Sequence, residues 1–374
     1  MPKDSLQFNP GLVGVIATKS SISNVDGKNG ILSYRGYDIE DLSNSSSFEE
    51  VSYLLLYADI PTKKQLDKFK KDIWDRQKLD DVLLGLMKVL PKNSHPMTVL
   101  QICCSAIATL NNKQSKEEQA INIIAKMGTI VSSWQNIRND KSPILPQHNK
   151  SYAENFLHMM TAKKPNKDMI KIMDVCLILH AEHTINASTL SALVATSTLA
   201  NLPSVIAGAI GTLAGELHGG ANQKVMQMLK TISAVENVES WVAQQLKNKK
   251  VIWGMGHREY STKDPRAVIL ERMLKEKIDT LDKKYSKMLA IALEIELQSA
   301  KFLNHKKVYA NVDFYSGIVY SISGIDSDQY TAIFAIARAT GWISHFFEQI
   351  EENKIFRPTQ IYVGEGSRKY KTPI

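Results

Sequence analysis

The chain has 374 residues, 44% of them hydrophobic and 22% charged, with a formal net charge of +8 at pH 7. That length exceeds what a single core usually fills, and that balance can bury a substantial interior, which excludes a peptide hormone, a disulfide knot and a disordered chain. Lys outnumbers Arg by 37 to 9, but both are spread along the chain instead of gathered into a patch, so charge alone does not argue for a nucleic-acid partner. Cys103, Cys104 and Cys176 form no CxxC pair, which argues against a disulfide framework and a zinc site. The N-terminus, MPKDSLQFNPGLVG, has no apolar run after a basic segment, so neither a secretory signal nor a lipid anchor is expected, and the expected compartment is a reducing cytoplasm.

In chain order, strands are expected over residues 14–19 and Ile31–Tyr34, followed by an amphipathic helix over 47–57. Thr62 with Gln65 offers a capping box for a helix running to Arg76. Helical periodicity then covers 98–110, 117–136 and 168–180. From Thr184 to Gly215 no side chain is charged, yet Asn, Ser and Thr interrupt the stretch and its cleanest apolar piece is too short to span a bilayer. Two buried helices broken near Asn201-Leu202-Pro203 are expected there, and the lack of a polar face favours a subunit interface. Further helices are expected over 222–229, 267–281, 283–302 and 331–352, with a last short strand over 361–364. The class is therefore mostly α. Gly219-Gly220 reads as a hinge, and polar connectors at 247–250 and 323–328 suggest a smaller inserted domain before the chain returns to the first.

Scarce residue types carry the chemistry. Arg258, Arg266, Arg338 and Arg357 each lie close to a Gly, Pro or His, which suits fork-like recognition of carboxylates; structural ion pairs are the alternative. His183, His218 and His257 fall at breaks in periodicity, in AEHTINAST, GELHGGAN and GMGHREY, whereas His180, His345 and His95 read as structural. Gly254-Met255-Gly256 would let backbone approach a ligand or bind an anion through its amides, but it is neither a P-loop nor a dinucleotide fingerprint. Asp313, among Val312, Phe314 and Tyr315, would have its pKa raised by desolvation and become a better base; a helix cap is the alternative. No metal-ligand spacing occurs.

Taken in order, GELHGGANQKV, GMGHREYSTKDPRA, NVDFYSG and ARATGWISHFFEQ resemble the citrate synthase family, as do SNVDG, LSYRGYDIEDL and HPMTVL nearer the N-terminus. The resemblance implies a mostly helical, citrate synthase-like fold acting as a homodimer. It also implies a large domain from residues 1–220 and 326–374 and a small domain from 221–325 that closes over substrate. It implies condensation of acetyl-CoA with oxaloacetate, with coenzyme A entering as a substrate thioester and no metal or other cofactor. Asp313 would deprotonate the acetyl methyl group, His218 would bond the thioester oxygen and His257 would polarise the ketone. His183, His218, His257, Arg266 and Arg338 would bind oxaloacetate, joined by Arg357 from the neighbouring subunit. Gly254, Met255, Gly256 and Lys263 would lie against coenzyme A. Two departures stand out: many relatives have a basic residue where this chain has Ser261, which would redistribute phosphate contacts, and Glu216 is expected to raise the pKa of His218.

The main rival is 2-methylcitrate synthesis from propionyl-CoA, since one methylene gives a pocket only roughly 1–3 kcal/mol of discrimination. Tyr315, Ser316 and Gly317 lean towards the citrate type. A non-catalytic helical scaffold or a Lys-rich RNA-binding protein is the rival of another class, and it would have no need of Asp313 and three isolated histidines. About ten residues precede the matched stretch, which implies the short dimeric type without an N-terminal regulatory domain.

Overall fold

Polar side chains cap most helices of the computed structural model, which describes residues 8–110 and 113–370. Residues 1–7, the first part of the segment on which the expectation about a signal or anchor rests, lie outside the described residues. The first helices are α1 (Ile39–Ser45), α2 (Phe48–Tyr57), α3 (Lys63–Arg76), α4 (Asp81–Val89), α5 (Pro96–Leu110), α6 (Lys116–Ile137), α7 (Tyr152–Thr161) and α8 (Lys167–His180). They are followed by α9 (Ala187–Ser197), α10 (Leu202–Leu213), α11 (Ala221–Thr231), α12 (Val238–Lys247), α13 (Pro265–Lys275), α14 (Lys283–Leu303), α15 (Val312–Ile322) and α16 (Tyr330–Glu351). Thr62 and Gln65 form the expected reciprocal box at α3, and Ser115 and Glu118 form a second at α6. Asn186, Asn201, Asp264 and Asn311 cap α9, α10, α13 and α15, each cap contributing about 1 kcal/mol.

The core centres on α6 and α16. Every residue of α16 from Tyr330 to Phe346 is buried, because α2, α6, α8, α9 and α10 pack around it. A helix covered on all sides needs no polar face, which accounts for its run of Ala, Ile and Phe. The uncharged helices α9 and α10 pack on each other, and α10 also packs on α5; α9 leaves Val194 exposed. No helix among the described residues is long and apolar enough to cross a membrane. The second group of helices joins α11 to α15, α12 to α14, and α13 and α14 to α15. It meets the first where α1 and α8 touch α13, α8 touches α15, and α11 touches α16.

A three-stranded antiparallel sheet, β1 (Ser23–Asp26), β2 (Ile31–Tyr34) and β3 (Tyr37–Asp38), lies before α1, with Asp26 opposite Ile31 and Tyr34 opposite Tyr37. Tyr34 is buried, and its hydroxyl donates to the carbonyl of Glu182 at 2.8 Å while accepting from the Glu182 amide at 3.2 Å.

The strands expected over 14–19 and 361–364 are absent: both segments are irregular and largely exposed, with no neighbouring strand to complete a ladder. The helix expected over 267–281 stops at Lys275, and a short 3-10 turn, Ile278–Thr280, replaces its end. Helices α1, α4, α7, α12 and α15 go beyond the sequence reading; at 7 to 11 residues each shows only about two to three turns of periodicity. Gly219 is not a loose linker. Its carbonyl accepts from Thr331 Oγ1 at 2.8 Å, and a Cβ there would lie 2.4 Å from the Leu213 carbonyl oxygen.

The tightest approach to α16 is at Gly341, where a Cβ would lie 2.2 Å from Glu182 Oε2 and 2.4 Å from the Ala181 carbonyl oxygen. Alanine would gain about 1 kcal/mol of helix propensity, but the overlap outweighs it. Gly341→Ala is expected to lower stability by about 1–3 kcal/mol, read as a lower urea midpoint; an unchanged midpoint would refute the close packing.

Candidate active site

The loop between α8 and α9 presents His183. Glu182, fully buried beside it, accepts from Ser23 Oγ at 3.0 Å and from His345 Nε2 at 3.1 Å. Burial pushes the Glu182 pKa up, but His345 and Arg338 outweigh this and hold it below the usual value. His183 Nε2 lies 3.0 Å from the Tyr260 hydroxyl, and its ring centre is 5.0 Å from that of His257. His180, His345 and His95 are structural as expected: they bond the Cys176 carbonyl, Glu182 and the Met97 amide.

His257 follows Gly254 and Gly256, both at positive φ, +79° and +95°. A side chain at 254 would also meet Phe314 at 2.8 Å. This bare backbone pairs with residues 309–311: the Gly256 amide donates to the Tyr309 carbonyl at 2.6 Å, and Asn311 returns bonds to the Gly254 and Gly256 carbonyls at 2.9 and 2.8 Å. The pairing holds His257 and the start of α15 in fixed register. It also means that the amides of Met255 and Gly256 are consumed inside the protein, so they do not form the anion cradle that their sequence suggests.

Tautomers follow from the surrounding donors. His257 Nδ1 accepts from the Glu259 amide at 3.0 Å, which leaves Nε2 as the protonated nitrogen; Arg266 Nη2, 3.4 Å away, is itself a donor and does not take that proton, which is therefore free for a ligand. His218, in the turn before α11, accepts at Nε2 from the Ser188 amide at 3.3 Å, with Ser188 Oγ at 2.8 Å, so its Nδ1 carries the proton. Ser188 is in turn fixed by its own bond to Asn186 and by Trp342 Nε1 at 3.2 Å.

Burial, reinforced by nearby guanidinium charges, lowers the pKa of both His218 and His257 to about 4 and holds that of His183 well below its usual value. All three are therefore neutral hydrogen-bonding groups near pH 7. The upward shift expected of His218 from Glu216 is overturned: Glu216 is exposed, and burial with the charges of Arg338 and Arg258 drives the shift down.

Arg266 and Asp264 are 3% and 1% exposed. Asp264 accepts from the Arg266 amide and Nε at 3.0 Å and from Nη2 at 2.8 Å, while its Oδ2 also takes the amide of Val312 at 3.1 Å. Burial alone would lower the Arg266 pKa, but Asp264 more than offsets it. Asp313 occupies the first turn of α15, and Asn311 rather than Asp313 is the cap. Burial raises the Asp313 pKa to about 6, with Arg266 and Arg338 pulling against it and Asp264 adding to it.

Arg338 is 2% exposed, donates from Nε to the His180 carbonyl at 2.8 Å and lies over Phe334 at 4.7 Å. Among the described residues no carboxylate lies within ion-pair distance of it, although burial disfavours its charge.

The remaining expected site residues lie elsewhere. Lys263 is matched by Glu271 at 2.5 Å and Glu296 at 2.6 Å, so its charge is already compensated. Arg357 lies on an exposed C-terminal segment whose root, at Asn353 and Phe356, bonds Ser197. Tyr260, Asp264, Ser188 and Glu182 escaped the sequence reading. Asp264 was signalled by the Asp-Pro pair that commonly opens a helix, whereas Ser188 and Glu182 left no local sign. No group of three or more His, Cys, Asp or Glu that could hold a metal occurs among the described residues, and the three cysteines are free and buried.

The sequence model of the family described as citrate synthase, C-terminal domain, matches residues 11–359. Citrate synthase of Acidithiobacillus ferridurans is 46% identical over 97% of each chain, and that of Synechocystis sp. is 43% identical over 99% of this chain and 94% of its own. The crystal structure of citrate synthase from Thermotoga maritima superposes with a TM-score of 0.89 at 40% identity, covering 98% of both chains. The citrate synthase of Thermoplasma acidophilum, solved as a ternary complex with carboxymethyl coenzyme A and oxaloacetate, gives 0.92 at 34% identity with the same coverage. With matches that run almost end to end in both sequence and fold, this chain belongs to the citrate synthase family.

Proposed function

We propose that this chain condenses acetyl-CoA with oxaloacetate and hydrolyses the resulting thioester to citrate and coenzyme A. The carrying observation is Arg338, a buried guanidinium with no carboxylate within ion-pair distance among the described residues, set electrostatically against His183, His218 and Asp313. An unpaired buried charge is costly, and a dicarboxylate would compensate it. Arg266, held charged by Asp264, is suited to the second carboxylate, and His183 to orienting the keto acid.

Asp313 then takes a proton from the methyl carbon of the thioester while the Nδ1–H of His218 donates to the thioester oxygen, which gathers enolate charge. The enolate carbon attacks the ketone carbon, whose oxygen receives the Nε2 proton of His257. Water cleaves the citryl thioester, and coenzyme A leaves as its thiol. The relative solved with oxaloacetate and a coenzyme A analogue supports these substrates. Residues 1–220 with 326–374 would form the large domain and 221–325 the small one, closing on the site from either side. Arg357, absent from the contacts of its own site, would reach that of a second copy in a homodimer. Tyr315 bonds Glu296, and Ser316 and Gly317 are buried on the helix, so these three supply packing and no evident choice of acyl chain.

Free thiol release is expected only when acetyl-CoA and oxaloacetate are both present, and the ratio of kcat/KM for acetyl-CoA to that for propionyl-CoA names the acyl substrate. Release without oxaloacetate would indicate a thioesterase instead. Asp313→Asn and His218→Ala are each expected to lose about 10²–10⁴ in kcat while still binding oxaloacetate, by rapid-quench assay and calorimetry; full activity in either would remove the mechanism.

The base is active as its carboxylate, so with a pKa of about 6 the ionised fraction falls as pH drops. Condensation should fall about tenfold between pH 7 and pH 5, while His218 and His257, at about 4, stay neutral over that range. In Asp313→Glu the midpoint of this profile should shift, and an unaltered profile would assign the ionisation to another group.

Co-expression of Arg357→Ala with His218→Ala should recover on the order of a quarter of the native sites, because one site of each mixed dimer is then intact. Absence of recovery from two inactive parents would place Arg357 outside the shared site.

A further inference from the structure

The β1–β2 turn, Asp26 to Gly30, is not a free hairpin tip. Ser261 donates both its amide, at 2.8 Å, and its hydroxyl, at 3.3 Å, to the Gly27 carbonyl. A Cβ at Gly27 would lie 1.8 Å from the Glu259 carbonyl oxygen, and one at Gly30 would lie 2.8 Å from Thr262 Cγ2. The turn therefore presses on residues 259–262, the loop between His257 and Arg266. It is itself braced by Asp26, whose carboxylate accepts from the amides of Lys28 and Asn29 and from the Asn29 side chain.

The same loop sets the geometry on its inner side. The Glu259 amide fixes the His257 tautomer, and the Tyr260 hydroxyl meets His183. At its other end the hairpin brackets His183: Ser23 Oγ donates to Glu182 and accepts from the Thr184 amide at 3.1 Å. One short hairpin thus touches the backbone beside His183 and the backbone beside His257, which belong to distant parts of the chain.

We infer that the β1–β2 hairpin is a positioning clamp: Gly27 and Ser261 hold the 257–263 loop in the conformation that lets His257 and His183 face one keto dicarboxylate. This assignment rests on the part of the proposed function in which the site binds oxaloacetate. It gives Ser261 a role in loop placement. Gly27, Gly30, Ser261 and Thr262 are only part-buried, so the contact shields little apolar surface and its loss should act locally rather than on the whole fold. Small misplacements of a binding group are costly in affinity and rate even when the fold survives.

The test uses the full chain and oxaloacetate alone, titrated calorimetrically without any thioester. Gly27 is not at positive φ, so Gly27→Ala tolerates its own backbone but must push the Glu259 carbonyl away. It is expected to raise the Kd for oxaloacetate at least about tenfold, with the thermal midpoint close to the parent's and faster hydrogen exchange at the Ser261 amide. Ser261→Ala, which keeps the amide bond, should show a smaller rise of the same kind. Gly85→Ala, on α4 with open space around it, is the control and should match the parent.

A Gly27→Ala variant with parental Kd overturns the clamp while leaving the condensation reading standing. Affinity lost only in proportion to a fallen thermal midpoint also overturns it, making the hairpin a stability element. A parent that binds no oxaloacetate overturns both readings, whereas one that binds it but releases no coenzyme A overturns the condensation reading alone.

Discussion

Asp264 accepts four hydrogen bonds inside the protein, three from Arg266 and one from the amide of Val312. Those bonds join the start of α13 to the start of α15, which otherwise lie almost fifty residues apart in the chain. A buried carboxylate with this many donors keeps its charge, and so Asp264 holds its pKa low despite burial. Removing it would leave Arg266 uncompensated and free the turn that carries Asp313. The spacing between Arg266 and Asp313, the proposed anion-binding guanidinium and the proposed carbon base, is thus constrained by one side chain with no proposed contact to substrate.

The electrostatics of the site follow from the same arrangement. Two buried guanidiniums, Arg266 and Arg338, suppress protonation of His183, while Arg338 acts on His218 and Arg266 on His257. A neutral imidazole donates a hydrogen bond without bringing a proton that could quench an enolate. The same guanidiniums pull the Asp313 pKa down as burial and Asp264 push it up, leaving it near 6. Burial is what separates them: it raises the carboxylate and lowers the imidazoles, while the fixed positive charge lowers all four, so the expected base and the expected hydrogen-bond donors are tuned in opposite directions by one buried environment.

Much of the site was legible because its residues are rare types at breaks in periodicity: His183, His218 and His257 lie in turns, and Arg266 follows an Asp-Pro helix start. The capping box at Thr62 and the break at Asn201-Leu202-Pro203 were legible for a similar reason, since caps and prolines act locally. Contacts that depend on distant partners were not. The glycines at 254 and 256 suggest an anion cradle until their pairing with Tyr309 and Asn311 is seen. Lys263 reads as a phosphate ligand until α14 brings Glu296 beside it. The extended residues 14–19 carry strand-forming side chains and no partner strand, which no local pattern could reveal.

One apolar core runs through both groups of helices that share the site, but the charged pairs between them are weak. Across their boundary run the pairs Arg272–Glu40 and Lys277–Asp168, all of them substantially exposed side chains, worth about 0–1 kcal/mol each. A cavity of about 360 Å³ lies between α1, α8, α13 and α15, so part of the boundary lacks the close packing of a core. At the site itself the joint consists of polar contacts, chiefly Tyr260 with His183 and the hairpin turn with Ser261. A ligand whose carboxylates bridge Arg338 on α16 and Arg266 on α13 would supply what the boundary lacks. In the proposed reaction the first substrate would therefore add a link between the two groups, and the enclosed site that the second one needs would follow from that added link.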